Sequence, residues 1–140
     1  MPLSIPPAFI DLLEGDALGH LATLRADGSP HVTPVWIDHE GDTLLVNVRV
    51  DRVKAANMRS RPAVAVSVVD PRNPHRFLAV TGRVVSWSED GWREHMDALS
   101  RRYLKVNRYP WSSPGERRAI FRIEATRVYR EAGAAVVAEG

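Results

Sequence analysis

In the stretch VRVDRVKAANM, residues 48–58, three cations crowd together: Arg49, Arg52 and Lys54. The strand-like run TLLVNV at 43–48 precedes them, and a helix is expected to start at Asp51, a residue type suited to the N-cap. A helix N-terminus carries partial positive charge, so cations gathered there repel it unless an anion joins them. Phosphate meets both needs, since free main-chain N–H groups and Lys or Arg side chains bind it well. Arg52 and Lys54 stand two residues apart and share no helix face, yet both fall in the first turn, where long side chains can wrap one anion from two sides. Taken alone, the residues favour a plainer reading, a solvated helix face whose charge Asp51 offsets.

Other reaction chemistry finds little support. There are no cysteines, which excludes disulfides, thiolate catalysis and Cys-based metal sites. His20, His31, His39, His75 and His95 show no metal-binding spacing, so no metal is expected, although His31 and His39 could converge in space. No G-x-S-x-G elbow and no glycine-rich phosphate loop occurs. Asp11 with Glu14, and Glu89 with Asp90, are explained by helix faces and caps. Trp36, Trp87, Trp92 and Trp111 could mark a planar-ligand pocket or simply core and interface, and for each one the core is expected. Trp111 is the exception, because RYPWSSP at 108–114 is a rigid aromatic loop, and such loops carry function more often than buried aromatics do.

The elements that must hold these residues follow from periodicity. Residues 6–14 predict a short helix stopped by Gly15, and 18–25 a loose strand. Asp27-Gly28 turns the chain into a strand at 30–38, and Glu40-Gly41-Asp42 turns it again into 43–48. The helix at 51–61 ends before Pro62. AVAVSVV at 63–69 predicts a strand buried on both faces, followed by a proline-punctuated loop at 70–75. A strand at 76–87 holds Gly82 as a bulge or close-approach point. An amphipathic helix at 89–104 and a strand at 118–129 complete the pattern; the Ala/Val-rich tail after Gly133 is left open. Six strands with short turns and no βαβ rhythm predict a closed antiparallel barrel, with residues 1–140 as one domain.

Composition narrows the partners. With 44% hydrophobic and 26% charged residues the chain reads as a soluble globular protein, and a cytoplasmic location is the default. A net charge of +2 is too small for a general nucleic-acid binder. No apolar run approaches the roughly 20 residues a bilayer requires, so no membrane role is expected.

Four stretches in order carry a family resemblance: LGHLATLRADGSPHVTPVW at 18–36, VDRVKAANMRSRPAVAVSVVD at 50–70, DPRNPHRFLAVTGRVV at 70–85 and RRYLKVNRYPW at 101–111. The chain resembles the pyridoxamine 5′-phosphate oxidase-like flavin/deazaflavin oxidoreductases, and above all the branch that uses the deazaflavin coenzyme F-420. The resemblance implies a mainly β fold with short helices, the six-stranded antiparallel split β-barrel known as the FMN-binding split barrel. It also implies a homodimer with cofactor sites at the subunit interface.

In such proteins a basic-x-Lys pattern at the helix start holds the cofactor's phosphate; here that falls on Arg52 and Lys54, with Asn57 one turn on. His31, Val32, Thr33, Pro34 and Val35 would lie against the ring, and Asn47, Val48 and Arg49 would edge the same groove. The loop with Tyr109 and Trp111 would approach it, from the same subunit or the partner. No catalytic side chain is required, since the cofactor carries the hydride chemistry from reduced F-420 to a small conjugated substrate. Solvent, His31 or Tyr109 would supply the proton.

Two alternatives remain at this level: FMN in place of F-420, or a non-catalytic barrel that stores a cofactor or binds haem through a histidine such as His31 or His75. Three cations tilt toward F-420, whose phosphodiester bears acidic glutamates. Arg49 is a departure, because several relatives carry a small or polar residue there. The longer C-terminal substrate region of true pyridoxamine 5′-phosphate oxidases is also missing.

Overall fold

A computed structural model describes residues 2–133; the Ala/Val-rich tail beyond Gly133 lies outside the described residues. A 3-10 helix, Pro7–Leu13, leads into the hairpin β1 (Gly19–Leu24) and β2 (Pro30–Val35). Next come the short β3 (Asp38–Glu40), β4 (Thr43–Arg49), α1 (Val53–Ser60) and β5 (Ala63–Asp70). The long β6 (Asn73–Ser88), α2 (Trp92–Tyr103) and the long β7 (Arg118–Ala132) follow.

All pairings are antiparallel, in the order β2-β1-β5-β6-β7-β4-β3. This is a split-barrel arrangement of seven strands where six were expected, because the run at 30–38 breaks at Trp36 and Ile37 into β2 and β3. Nor is it closed: β2 and β3 are the two free edges, unpaired with each other. Three Cα steps join Val35 to Asp38, so these edges lie within at most about 11 Å, and the sheet must curl to satisfy them.

Strand alternation fills the interior. Leu21, Leu44, Val46, Val66, Val80, Phe121 and Ile123 point inward and are buried, while Phe9, Leu12 and Leu13 of the 3-10 helix plug one end. Arg76 holds that plug, pairing with Asp11 at 2.7 Å and Asp70 at 3.0 Å. At the seam, α2 packs through Met96, Leu99 and Ser100. Tyr103 there accepts a hydrogen bond from Ile37 N–H at 3.1 Å and stacks on Trp36 with centroids 5.2 Å apart.

Three further expectations change. β5 is not buried on both faces: Val64, Val66 and Val68 face the core, but Ala65 and Ser67 are only half-buried, since no element among the described residues covers the outer side. The strand after it starts early, at Asn73, so the proline-punctuated stretch is mostly strand. No tryptophan belongs to the buried core; Trp87 is 46% and Trp111 62% exposed. Among the described residues no helix is long and apolar enough to cross a membrane.

Gly82 is a close-approach point, as expected. The β6–β7 register shifts between Thr81 and Gly82, and a Cβ there would meet the Glu124 carbonyl oxygen at 2.5 Å. Backbone cannot yield as a side chain can, so Gly82→Ala is expected to cost about 1–3 kcal/mol. Gly15→Ala, whose Cβ would come no nearer than 3.7 Å to its neighbours, serves as control. Equal denaturation midpoints for the two variants would contradict this account.

Candidate functional site

The start of α1 differs from its expected form. Arg52, in extended conformation, occupies the N-cap, no side chain caps the helix, and no acidic residue lies in the first turn. Asp51 stands one residue too early, and its carboxylate is taken by Arg49, whose Nε and Nη2 each lie 3.2 Å from it. The N–H groups of Val53 and Lys54 have no preceding turn to bond. The positive end of α1 is therefore left without a carboxylate.

Beside it opens a cavity of about 560 Å³ at the seam of the barrel. β2 contributes His31, Thr33, Pro34 and Val35; β4 contributes Asn47, Val48 and Arg49; the α1 start contributes Arg52, Val53 and Lys54. Leu18, Trp36, Met96, Tyr109, Trp111 and Arg118 complete the wall. Ten of the candidates named from sequence thus converge on one cavity: His31, Thr33, Pro34, Val35, Asn47, Val48, Arg49, Arg52, Lys54 and Trp111.

Two candidates do not. Val32 points to the opposite face of β2, as period-two alternation demands, and is 63% exposed. Asn57 is buried off the cavity, donating to Thr23 Oγ1 at 2.9 Å and accepting from Arg61 Nη2 at 3.2 Å. It ties α1 to β1.

Charge in the cavity is unevenly balanced. Arg49 is paired with Asp51 and lies 3.9 Å from Glu116. Arg118, which sequence reasoning missed, is engaged at all three nitrogens: Nε donates to Glu116 at 2.6 Å, Nη1 to the Asn47 carbonyl at 3.1 Å and Nη2 to the Tyr109 hydroxyl at 3.2 Å. Burial alone would raise the Glu116 carboxyl, but the Arg118 hydrogen bond, the Ser113 N–H and the charges of Arg118 and Arg49 hold it below the usual range. Among the described residues no carboxylate lies within 4.0 Å of Arg52 or Lys54. Half-buried Lys54 donates only to Thr33 Oγ1, at 2.9 Å. Burial, then the charges of Arg52 and Arg118, push its pKa down from 10.5.

Aromatic rings form the facing wall. Trp36 meets Tyr109 edge-on at 6.2 Å and Trp111 at 6.4 Å. The loop carrying both is pinned by the Tyr109 N–H to Asp97 at 2.8 Å and by the Glu116–Arg118 pair. Met96 and Arg118 carried no signal in the sequence, since each comes from an element far along the chain, whereas Trp36 could be read there as core or as the wall of a planar-ligand pocket. Two buried side-chain atoms among the described residues lack any hydrogen-bond partner, His31 Nδ1 and Asn47 Oδ1, and both residues line this cavity. No cluster of three or more His, Asp or Glu suited to a metal occurs among the described residues.

Comparison with known proteins agrees with this architecture. The family model described as pyridoxamine 5′-phosphate oxidase matches residues 5–131. The chain belongs to the pyridoxamine 5′-phosphate oxidase family. A solved F-420 reductase is 34% identical with a TM-score of 0.77, covering 89% of this chain and 98% of its own. That neighbour supports placing this family member on the F-420 branch.

A conserved hypothetical protein from Mycobacterium tuberculosis, 22% identical, has a TM-score of 0.72 over 99% of this chain and 94% of that one. General Stress Protein 26 from Bacillus anthracis, 21% identical, has a TM-score of 0.65 over 87% and 89%. These two show the fold alone. No curated protein matches the sequence.

The lowered Lys54 pKa gives a signed pH effect. Between its folded-state pKa and 10.5 the unfolded chain binds more protons, so stability rises with pH in that window; below it the penalty is complete. Lys54→Met is expected to flatten the rise. Inorganic phosphate entering the cavity is expected to raise the Lys54 pKa, followed by NMR of the side-chain amine. An unmoved titration in saturating phosphate would rule out an anion site at Lys54.

Proposed function

We propose that this family member is a deazaflavin-dependent reductase, passing a hydride from reduced F-420 to a small conjugated organic acceptor. The observation that carries the reading is the pair Arg52 and Lys54, two cavity cations with no carboxylate partner among the described residues, beside an uncapped helix start. The 34% identical F-420 reductase supports it. A cytoplasmic location belongs to the same reading, and cell fractionation checks it.

The residues present fit such a cofactor. A cavity of about 560 Å³ lies in the size range of cofactor sites, and orphaned His31 Nδ1 and Asn47 Oδ1 call for polar partners a heterocycle can bring. Arg52, Lys54 and the first N–H groups of α1 would hold phosphate. His31, Thr33 and Val35 would lie along one side of a ring, with Trp36, Tyr109 and Trp111 excluding water on the other. When bound, the reduced deazaflavin supplies the hydride. The Tyr109 oxygen already accepts from Arg118, so its own proton is free for a ligand oxygen.

FMN is the second reading, and the structure strengthens it in one respect. Arg49 and Arg118 are neutralised by Asp51 and Glu116, so two uncompensated cations remain where the sequence offered three. Two cations suit a single phosphate. Protein purified yellow, releasing FMN on denaturation, would decide for it.

The homodimer is proposed on the outer sheet face. There Val32 and Tyr129 are 63% and 57% exposed beside a hollow of about 270 Å³ that includes Ala22, Ala65 and Ala79. A second copy covering this face would explain why β5 is so apolar on both sides. Val32→Glu is then expected to yield a monomer in sedimentation; a wild type already monomeric at micromolar concentration would sink the dimer.

For the cofactor, Lys54→Ala is expected to weaken F-420 binding at least about tenfold, in line with loss of a charge-assisted contact. The ligand-free fold should be as stable or slightly more so, because a desolvated cation is removed. Failure of wild type to bind micromolar F-420 would overturn the reading.

A further inference from the structure

His95 lies on α2, outside the cavity, yet its ring is tied to the cavity wall. Asn47 Nδ2 donates to the Trp92 carbonyl oxygen at 3.0 Å and lies 3.1 Å from His95 Nδ1. A carbonyl can only accept, so turning the carboxamide over would set two oxygens against each other. His95 Nδ1 is therefore the acceptor, and the proton of its neutral ring sits on Nε2. That N–H donates to Asp38 Oδ2 at 2.9 Å. Asp38 Oδ1 in turn accepts from the His39 N–H at 2.8 Å and from Arg102 Nη1 at 3.3 Å. Both carboxylate oxygens are thus held: donation runs from Asn47 through His95 to Asp38, and Arg102 donates to the same carboxylate from the other side.

With Nδ2 committed twice, Oδ1 is the polar atom of the Asn47 side chain left over. It is buried and meets no donor. A buried acceptor without a partner is disfavoured, and here it belongs to a residue of the cavity wall.

We propose that Asp38 and His95 are positioning residues that lock the Asn47 carboxamide with its oxygen as an acceptor, so that the cavity selects a ligand bringing an N–H or O–H donor to that wall. Lys54 and Arg52 attract an anion, whereas Asn47 asks for a donor, and the two demands together orient a ligand that carries both. The choice of probe rests on the deazaflavin reading above: the oxidised ring of F-420 has an imide N–H between two carbonyls.

The test compares oxidised F-420 with its imide N-methyl analogue, binding followed by fluorescence, while ¹⁵N spectra report the His95 tautomer. Wild type is expected to prefer the N–H form at least about tenfold, the scale of one unsatisfied buried acceptor, with the His95 proton on Nε2. Asn47→Leu and His95→Leu should bring the preference close to one. His95→Asn, whose carboxamide oxygen takes the place of Nδ1, should keep most of it.

An equal preference in wild type and Asn47→Leu would overturn the proposal, leaving Oδ1 served by internal water. So would a His95 proton on Nδ1, a measurement that stands even if a leucine variant fails to fold. If wild type does not bind F-420, the deazaflavin reading fails by itself, and FMN with its imide N-methyl analogue gives the same comparison. Binding of neither pair overturns the donor-selecting wall as well.

Discussion

The structure turns on a two-residue link. Trp36 and Ile37 join the two edge strands of the sheet, which holds those edges close without letting them pair. The sheet must curl, yet a gap remains, with unpaired edge groups that need cover. α2 and Tyr103 supply part of it, Tyr103 accepting from the Ile37 N–H and stacking on Trp36. What stays open beside this seam is the cavity. Its walls come from β2, β4, α1, α2, β7 and the loop at 109–116 because all of these border the same gap.

Electrostatics then gives that space a sign. The sequence offers three cations near α1, but the fold treats them differently. Arg49 reaches back to Asp51 and toward Glu116, while Arg118, far along the chain, joins the wall already paired with Glu116. Arg52 and Lys54 keep their charge uncompensated at a helix start without an acidic cap. Lys54 is pushed toward its neutral form by burial, to which repulsion from Arg52 and Arg118 adds. An anion would relieve burial and repulsion together, which is why the pair speaks for a phosphate-bearing ligand more clearly than a count of basic residues does.

Much of this was legible beforehand, and the failures share a cause. The hairpin turns, α1, α2 and both long strands follow from local periodicity and turn chemistry. Gly82 was readable because a glycine inside a strand pattern marks close approach. Asp51 misled because capping depends on one residue of register, and a neighbouring guanidinium competed for its carboxylate. Trp36 misled because apolar character alone does not separate a core from a cavity wall. Val32 and Asn57 sit among cavity residues in sequence, yet strand alternation and helix facing turn both away from it.

By itself the sequence determined the elements, their antiparallel class and the basic start of α1, since these rest on neighbours within a few residues. Only the tertiary structure decided that the barrel is split into seven strands with free edges, that Arg118 and Trp36 share a wall with Lys54, and that Asn47 is held through His95 by Asp38. The physical reason is range. Periodicity and caps act over one turn or one strand, whereas a hydrogen bond between Asp38 and His95, 57 residues apart, exists only once the sheet has curled and α2 has crossed its seam.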